Sequence, residues 1–331
     1  MAAVNPLTVM PSMAQDLARV ESRLVESATT QDPTLTEIAT HLIAAGGKRV
    51  RPGFTIAAAA TAMTLDAPAS EEAVTGGVAV ELVHLGSLYH DDVMDEAEVR
   101  RTVDSVNARW GNLRAILAGD FLLARASELA ASLGVEVAGL LAATIGRLCE
   151  GQLLELQHAF DTSRTEELYL RSIDGKTASL LASSCRIGGL VAGMPRDQID
   201  ALTEFGHSYG MAFQVVDDVL DLVASEAEMG KPVGHDLDEG VYTLPVLYSL
   251  SGPHGAELRG LLGGALDEAS RERAAEMVRD GDGIDRAIAR ASEFAAQART
   301  ALALLPESPG VEGLSAAADY LLDSVEAAAA A

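Results

Sequence analysis

The chain is short of three things: aromatic side chains, cysteine and positive charge. Aromatics make up 4% of the 331 residues, with one tryptophan, and alternating β-branched runs are few. That argues against a sandwich or barrel, whose strands draw on such residues. Abundant alanine and leucine point to an all-α fold instead. The two cysteines, Cys149 and Cys185, lie far apart and neither has a metal-ligand spacing around it. They read as small buried hydrophobes in a reducing compartment. Lysine and arginine number 24 against 49 aspartates and glutamates, a formal net charge of −25. So acidic a chain is a poor partner for nucleic acid or an anionic membrane. No unbroken run of about 18 apolar residues occurs, so no transmembrane segment is expected. The N-terminus lacks a signal peptide's charged start and apolar core. A soluble, cytoplasmic protein is expected.

What the chain does have is paired acids. His90-Asp91-Asp92-Val93-Met94-Asp95 puts carboxylates at i, i+1 and i+4, and Arg100-Arg101 follows. On a helix Asp91 and Asp95 share a face, where like charges repel unless a cation bridges them. Hard oxygen donors of this kind suit Mg²⁺, which binds through one or two carboxylates plus substrate phosphate. A lone cluster of this type is more often a solvated helix end. The spacing recurs, however, at Asp217-Asp218-Val219-Leu220-Asp221 after Phe213-Gln214, inside an apolar helical run. Carboxylates among core residues are rarely there for solubility. Two such helices facing each other across a bundle make a metal platform for a phosphorylated substrate.

Residues 1–10 read as disordered, and Met13 to Ser27 as a helix. Asp32-Pro33 opens a second helix that ends at Gly46-Gly47. Lys48-Arg49-Val50-Arg51-Pro52 is a compact basic loop, with Pro52 placed at the first position of the next helix, whose N-terminus favours anions. Ser70 caps a long helix carrying the first acidic cluster. Helices follow over Leu113–Leu133 and Val135–Phe160. Another starts at Thr165, is interrupted at Asp174-Gly175, and resumes through Lys176-Thr177 to about Ala192. Pro195 opens the helix with the second cluster. Residues 226–243 are too glycine-rich for a helix and suit a lid. Several short helices are expected beyond Leu244. No linker separates the two clusters, so 1–331 is taken as one domain.

Six motifs in order resemble the trans-polyprenyl diphosphate synthase (polyprenyl synthetase) family, over roughly residues 35–250. They are Gly46 to Pro52, Glu81-Leu82-Val83-His84, His90 to Arg101, Lys176-Thr177, Gly210 to Asp221, and Gly230 to Pro245. The resemblance implies an isoprenoid synthase-type bundle of about a dozen helices around a central cavity, usually a homodimer. It implies head-to-tail condensation of isopentenyl diphosphate onto an allylic diphosphate. Asp91, Asp95 and Asp217 would hold about three Mg²⁺ ions, supported by Asp92 and Asp221. Arg100, Lys176, Thr177, Gln214 and Lys231 would bind the allylic substrate. Lys48, Arg51, His84 and Arg101 would bind isopentenyl diphosphate. Two positions depart from the family pattern: Val241 and His235 stand where lysines are usual.

The chemistry fits this division. An allylic C–O bond that ionises leaves a pyrophosphate needing metal and cationic side chains. The carbocation needs water-free apolar walls. Isopentenyl diphosphate is not ionised, so a basic pocket without metal suffices. Gly86 and Ser87, one turn before Asp91, stand where the family's short-chain members carry aromatics. A geranylgeranyl or longer product is expected, with a long chain favoured. Tyr89, Ile116, Leu117 and Leu153 are alternative floor residues. The rival readings are a class I terpene cyclase, which would not need the isopentenyl pocket, and a non-catalytic regulatory subunit.

Overall fold

The computed structural model describes residues 6–223 and 234–329. Its organising element is α4 (Glu71–Met94), buried on every side from Ala73 to Val83. A helix apolar all round must sit in the core. Ser70 caps it, accepting from the Ala73 amide, and Glu71 and Glu72 fill its first turn. Around it pack α1 (Met13–Ala28), α3 (Val50–Ala60), the short α5 (Val106–Trp110), α6 (Asn112–Ser132) and α9 (Ser179–Val191). α2 (Pro33–Ala44), with Asp32 as its cap, leans on α6; α7 (Val135–Gln157) lies against α6 and α9. The helix with the second acidic cluster, α10 (Arg196–Val223), packs on α9 and on the helix Gly283–Leu302.

The scarce aromatics are concentrated. Phe54, Phe205 and Tyr209 cluster between α3 and α10, with Phe54 and Tyr209 centroids 4.6 Å apart. Tyr89, Tyr169 and Tyr242 are fully buried, and each hydroxyl has a partner, as buried tyrosines require. Tyr89 donates to the Ile38 carbonyl at 2.7 Å.

Several expectations need correction. Residues 6–10 are ordered: Pro6–Val9 forms a 3₁₀ turn, and Leu7 and Met10 are buried against the last helix, Pro309–Ala329. α2 stops at Ala44, and Pro52 is the third residue of α3, not the first. The expected interruption at Asp174 is a π-turn, Asp174–Ala178, running without a gap from α8 (Glu166–Ile173) into α9. Beyond Leu244 the expected short helices are present at Leu244–Leu250, Gly255–Leu261 and Glu268–Arg279, but two long helices of 20 and 21 residues follow them. A two-residue hairpin, Val99–Arg100 with Val103–Asp104, interrupts the helical pattern. Cys149 is exposed; only Cys185 is buried.

On the outer faces of α6 and α7, Leu113, Ile116, Leu117, Leu153 and Leu156 are exposed. By length and composition α7 is apolar enough to cross a bilayer, yet little of it is buried here. The sequence shows no unbroken apolar run there because Arg147, Glu150, Gln152 and Glu155 interrupt the stretch.

Candidate active site

The basic loop is shaped by backbone that few residues adopt. Gly46 (φ 82°) and Gly47 (φ 154°) lead to Arg49 (φ 48°), the residue before α3. A Cβ on Gly47 would come within 2.9 Å of Arg49 Nη1 and 3.0 Å of Arg101 Cζ. The glycine thus leaves room for two guanidiniums to pass. Arg49, 4% exposed, is bound by Glu21 and by Glu81 at 3.0 Å, and donates to the Ile43 carbonyl. It is a structural cation that sequence reasoning did not single out.

The hairpin explains why two adjacent arginines serve two places. Arg101 and Thr102 both have positive φ, 53° and 66°, a primed turn normally built from glycine or asparagine. Successive residues project to opposite sides. Arg100 turns to Asp92, 2.6 Å away. Arg101 turns to the basic loop, donating to the Leu42 and Gly46 carbonyls, with Glu81 4.0 Å away. Burial, then the charges of Arg51, Arg101, Arg49 and Arg100, hold His84 well below its ordinary value, so its imidazole is neutral at pH 7. Arg51 is lowered by burial, and its Nε is buried without a partner. A buried donor left open is costly unless a ligand fills it. Arg51, His84 and Arg101 are therefore brought together; Lys48 stands at the exposed edge.

On the other side of α4, burial raises Asp91 and Asp92 and brings Asp95 up to about 6, against the opposing pull of nearby cations. Lys176 opposes the shift in Asp91 and Asp95. It rises from the π-turn and bonds Glu155 of α7 at 2.5 Å. Burial alone would lower Lys176, but Glu155, Asp91 and Asp95 outweigh it. Its neighbour Thr177 donates to Gln214 Oε1 at 2.6 Å, and Gln214 Nε2 donates to Asp218 at 2.8 Å. Two adjacent residues of one turn thus face both acidic clusters. Asp218 also accepts from the Tyr169 hydroxyl. Asp221 is buried and accepts from the Asp236 amide at 3.3 Å; Asp217 is exposed. Lys231 lies outside the described residues, as do residues 226–233 of the lid expected over 226–243; the part described is not free of helix, since His235–Asp238 forms a single turn.

The π-turn has a tertiary cause. α7 comes so close that a Cβ on Gly151 would be 2.4 Å from the Lys176 amide nitrogen and 2.7 Å from the Ser172 carbonyl. Backbone stands on both sides, so Gly151→Ala should cost about 1–3 kcal/mol by overpacking and move Lys176. Urea unfolding and kcat together check this; an unchanged midpoint with unchanged turnover would show that the turn tolerates the methyl.

The chain-length reading changes at Gly86 and at the alternative floor residues. Gly86 does not face open space: a Cβ there would meet the Gly119 carbonyl and Leu123 of α6 at 3.1 Å. Its missing side chain serves the crossing of α4 and α6, which His90 also braces over Gly119. Ser87 is half-buried, donating to the His84 carbonyl at 2.9 Å. Tyr89 is turned to α2, and Ile116, Leu117 and Leu153 lie on exposed faces, so none forms a floor within one chain.

Among the described residues, no three carboxylate, imidazole or thiol groups converge as a closed metal site. Asp92 Oδ2, buried with no hydrogen-bond partner, marks a polar site left incomplete.

The profile of the polyprenyl synthetase family matches residues 32–279. The chain belongs to that family. It is a trans-prenyltransferase. A nonaprenyl diphosphate synthase of Mycobacterium tuberculosis is 43% identical over 307 residues, covering 92% of this chain and 91% of that protein. A polyprenyl synthase from Caulobacter crescentus, solved with calcium and isoprenyl diphosphate, superposes with a TM-score of 0.89 at 33% identity over 97% of both chains. A geranylgeranyl pyrophosphate synthase from Corynebacterium glutamicum, also solved with calcium and isoprenyl diphosphate, gives 0.84 at 39% identity, over 96% of this chain and 98% of that one. The prenyltransferase fold is all-α, as composition indicated. Glu155, Tyr169, Arg164 and Glu81 are the polar residues around the site that sequence reasoning missed. None of the four shows its role in local spacing: Glu155, Tyr169 and Glu81 find partners 21 or more residues away, and Arg164 is held in part by the Tyr242 carbonyl, 78 residues on.

Proposed function

We propose that the protein is a Mg²⁺-dependent synthase that condenses isopentenyl diphosphate head-to-tail with an allylic diphosphate, giving a long-chain polyprenyl diphosphate. The observation that carries this is the π-turn, whose Lys176 answers to Asp91 and Asp95 while Thr177 reaches Gln214 and Asp218. The all-oxygen donor set fits Mg²⁺; Asp91, Asp95 and Asp217 would hold it, and it would supply Lewis acidity to the departing pyrophosphate. Asp92, fixed by Arg100, and Asp221, fixed by the Asp236 amide, orient that set. Arg100, Lys176 and Gln214 bind the allylic diphosphate by charge-assisted and neutral hydrogen bonds. Arg51, His84 and Arg101, with Lys48 at the rim, bind isopentenyl diphosphate. The neutral imidazole of His84 donates one hydrogen bond without adding charge to a crowded basic pocket. The apolar faces of α4, α9 and α10 keep water from the carbocation, and the released pyrophosphate takes the final proton.

Product analysis with isopentenyl diphosphate, Mg²⁺ and a panel of allylic primers tests this. No incorporation of isopentenyl diphosphate would favour a cyclase; no turnover by the purified chain alone would favour a regulatory subunit. The intact clusters and the Arg51–His84–Arg101 pocket argue against both. Ser87→Phe should shorten the product; an unchanged length would mean that the growing chain does not pass that turn. A second copy of the chain covering the apolar faces of α6 and α7 would make the functional unit a homodimer, and equilibrium sedimentation as a monomer would remove it. Cytoplasmic location accords with two free cysteines, one exposed.

A further inference from the structure

Arg164 precedes α8 and is 4% exposed. Among the described residues it forms no salt bridge, although a desolvated guanidinium ordinarily demands one. Nη1 donates to the Tyr242 carbonyl at 3.3 Å and Nη2 to Ser172 Oγ at 2.6 Å, while Nε is buried with no partner. Its Cζ stands 5.5 Å from the centroid of the Tyr169 ring. Burial lowers Arg164, and the carboxylates of Glu155, Asp218 and Asp161 oppose this from a distance.

Two arms run from this cation to the same helix. One passes through the Tyr169 ring, whose hydroxyl donates to Asp218. The other starts at Tyr242, whose hydroxyl accepts from the Gly263 amide at 2.7 Å. The Val241 amide beside it bonds the Asp236 carbonyl at 2.9 Å, and the Asp236 amide reaches Asp221. Both arms end on the acidic cluster of α10. Asp218 is pushed well up by burial and by the neighbouring Asp236 and Asp217 charges. Lys176 offsets the acids on the α4 side; on the α10 side Arg164 has the corresponding place.

We propose that Arg164 is a positioning residue for the second aspartate cluster: a buried cation that clamps the Tyr242 backbone and the Tyr169–Asp218 pair, and so fixes where α10 presents its carboxylates. It rests on the prenyltransfer reading, in which that cluster serves the allylic diphosphate. A side chain that merely fills the core would affect both substrates alike. A positioning cation affects one.

The test compares Arg164→Gln and Arg164→Lys with the unmodified chain. Arg164→Gln should raise the Mg²⁺ requirement and the KM for the allylic diphosphate by ~10–100-fold, as loss of orienting partners does. The KM for isopentenyl diphosphate should stay unchanged, and Arg164→Lys should restore much of the loss. Equal rises in both KM values, or glutamine and lysine variants that behave alike, would overturn the proposal. Should Arg164→Gln fail to fold, Tyr169→Phe cuts the Asp218 arm alone and must show the same selective effect. Hydrogen exchange at the Val241 amide needs no substrate. It should quicken in Arg164→Gln, and unchanged exchange refutes the clamp. An unmodified chain that fails to incorporate isopentenyl diphosphate, with the exchange effect present, would instead strike the prenyltransfer reading.

Discussion

Asp91→Ala should lower kcat by ~10²–10³-fold, the usual cost of removing a preorganised electrostatic stabiliser, while the fold survives. The fold survives because alanine is a good helix former and Asp91 makes no hydrogen bond on which α4 depends: Ser70 caps its start and the Asp91 backbone carbonyl still accepts from Asp95 at 2.8 Å. The rate falls because Asp91 is a half-buried carboxylate that burial drives toward neutrality, against the pull of Lys176 and Arg100. Such a group contributes most when a cation and a leaving pyrophosphate share its surroundings. Without it, Lys176 keeps Glu155 as a partner and is drawn further from the substrate. Asp91→Asn should be nearly as poor, since shape is retained and charge is lost. The measurement is kcat at saturating substrates across a Mg²⁺ titration. Turnover near normal in either variant would remove Asp91 from the metal-holding role.

The parts of this site that sequence revealed were those written in local spacing. Asp91 and Asp95 are one helical turn apart, and the same holds for Asp217 and Asp221, so their faces follow from the helix alone. Arg100 and Arg101 were identified as a pair, but their separation into two sites depends on a hairpin turn with two positive φ values at residues where no glycine announces it. The π-turn was legible only as a break at Asp174-Gly175. What makes it a turn is Gly151, brought from α7 by tertiary packing. Gly86 illustrates the reverse error: an absent side chain suggested open space, and α6 occupies it. Residues 6–10 are too short a segment to show a period by themselves, yet Leu7 and Met10 find a surface on the last helix of the chain. Glu155 and Tyr169 act on partners 21 and 49 residues away, a distance at which no periodicity reports.

Glu81→Ala should destabilise the protein by about 3–5 kcal/mol, the cost of breaking a buried ion pair from one side. Glu81 is 2% exposed in the middle of α4, where a carboxylate needs a strong reason to stay. Its reason is the guanidinium of Arg49, at 3.0 Å, with Arg101 at 4.0 Å and Arg51 drawn by the same charge. Truncating it leaves Arg49 with only the more exposed Glu21, and leaves Arg51 and Arg101 to repel each other behind His84. Two effects then separate. Stability falls because buried positive charge has lost its main counter-ion, and the loss appears in urea unfolding without ligand. The KM for isopentenyl diphosphate rises because Arg51 and Arg101 are no longer held in register, even though a net negative charge has left the pocket. A simple Coulomb picture gives the opposite sign for binding: one acid fewer should attract a diphosphate more strongly. Positioning wins over net charge when the donors are pre-oriented and desolvated. A Glu81→Ala protein that bound isopentenyl diphosphate more tightly would show that the pocket works as a diffuse positive field and not as an arranged set of donors.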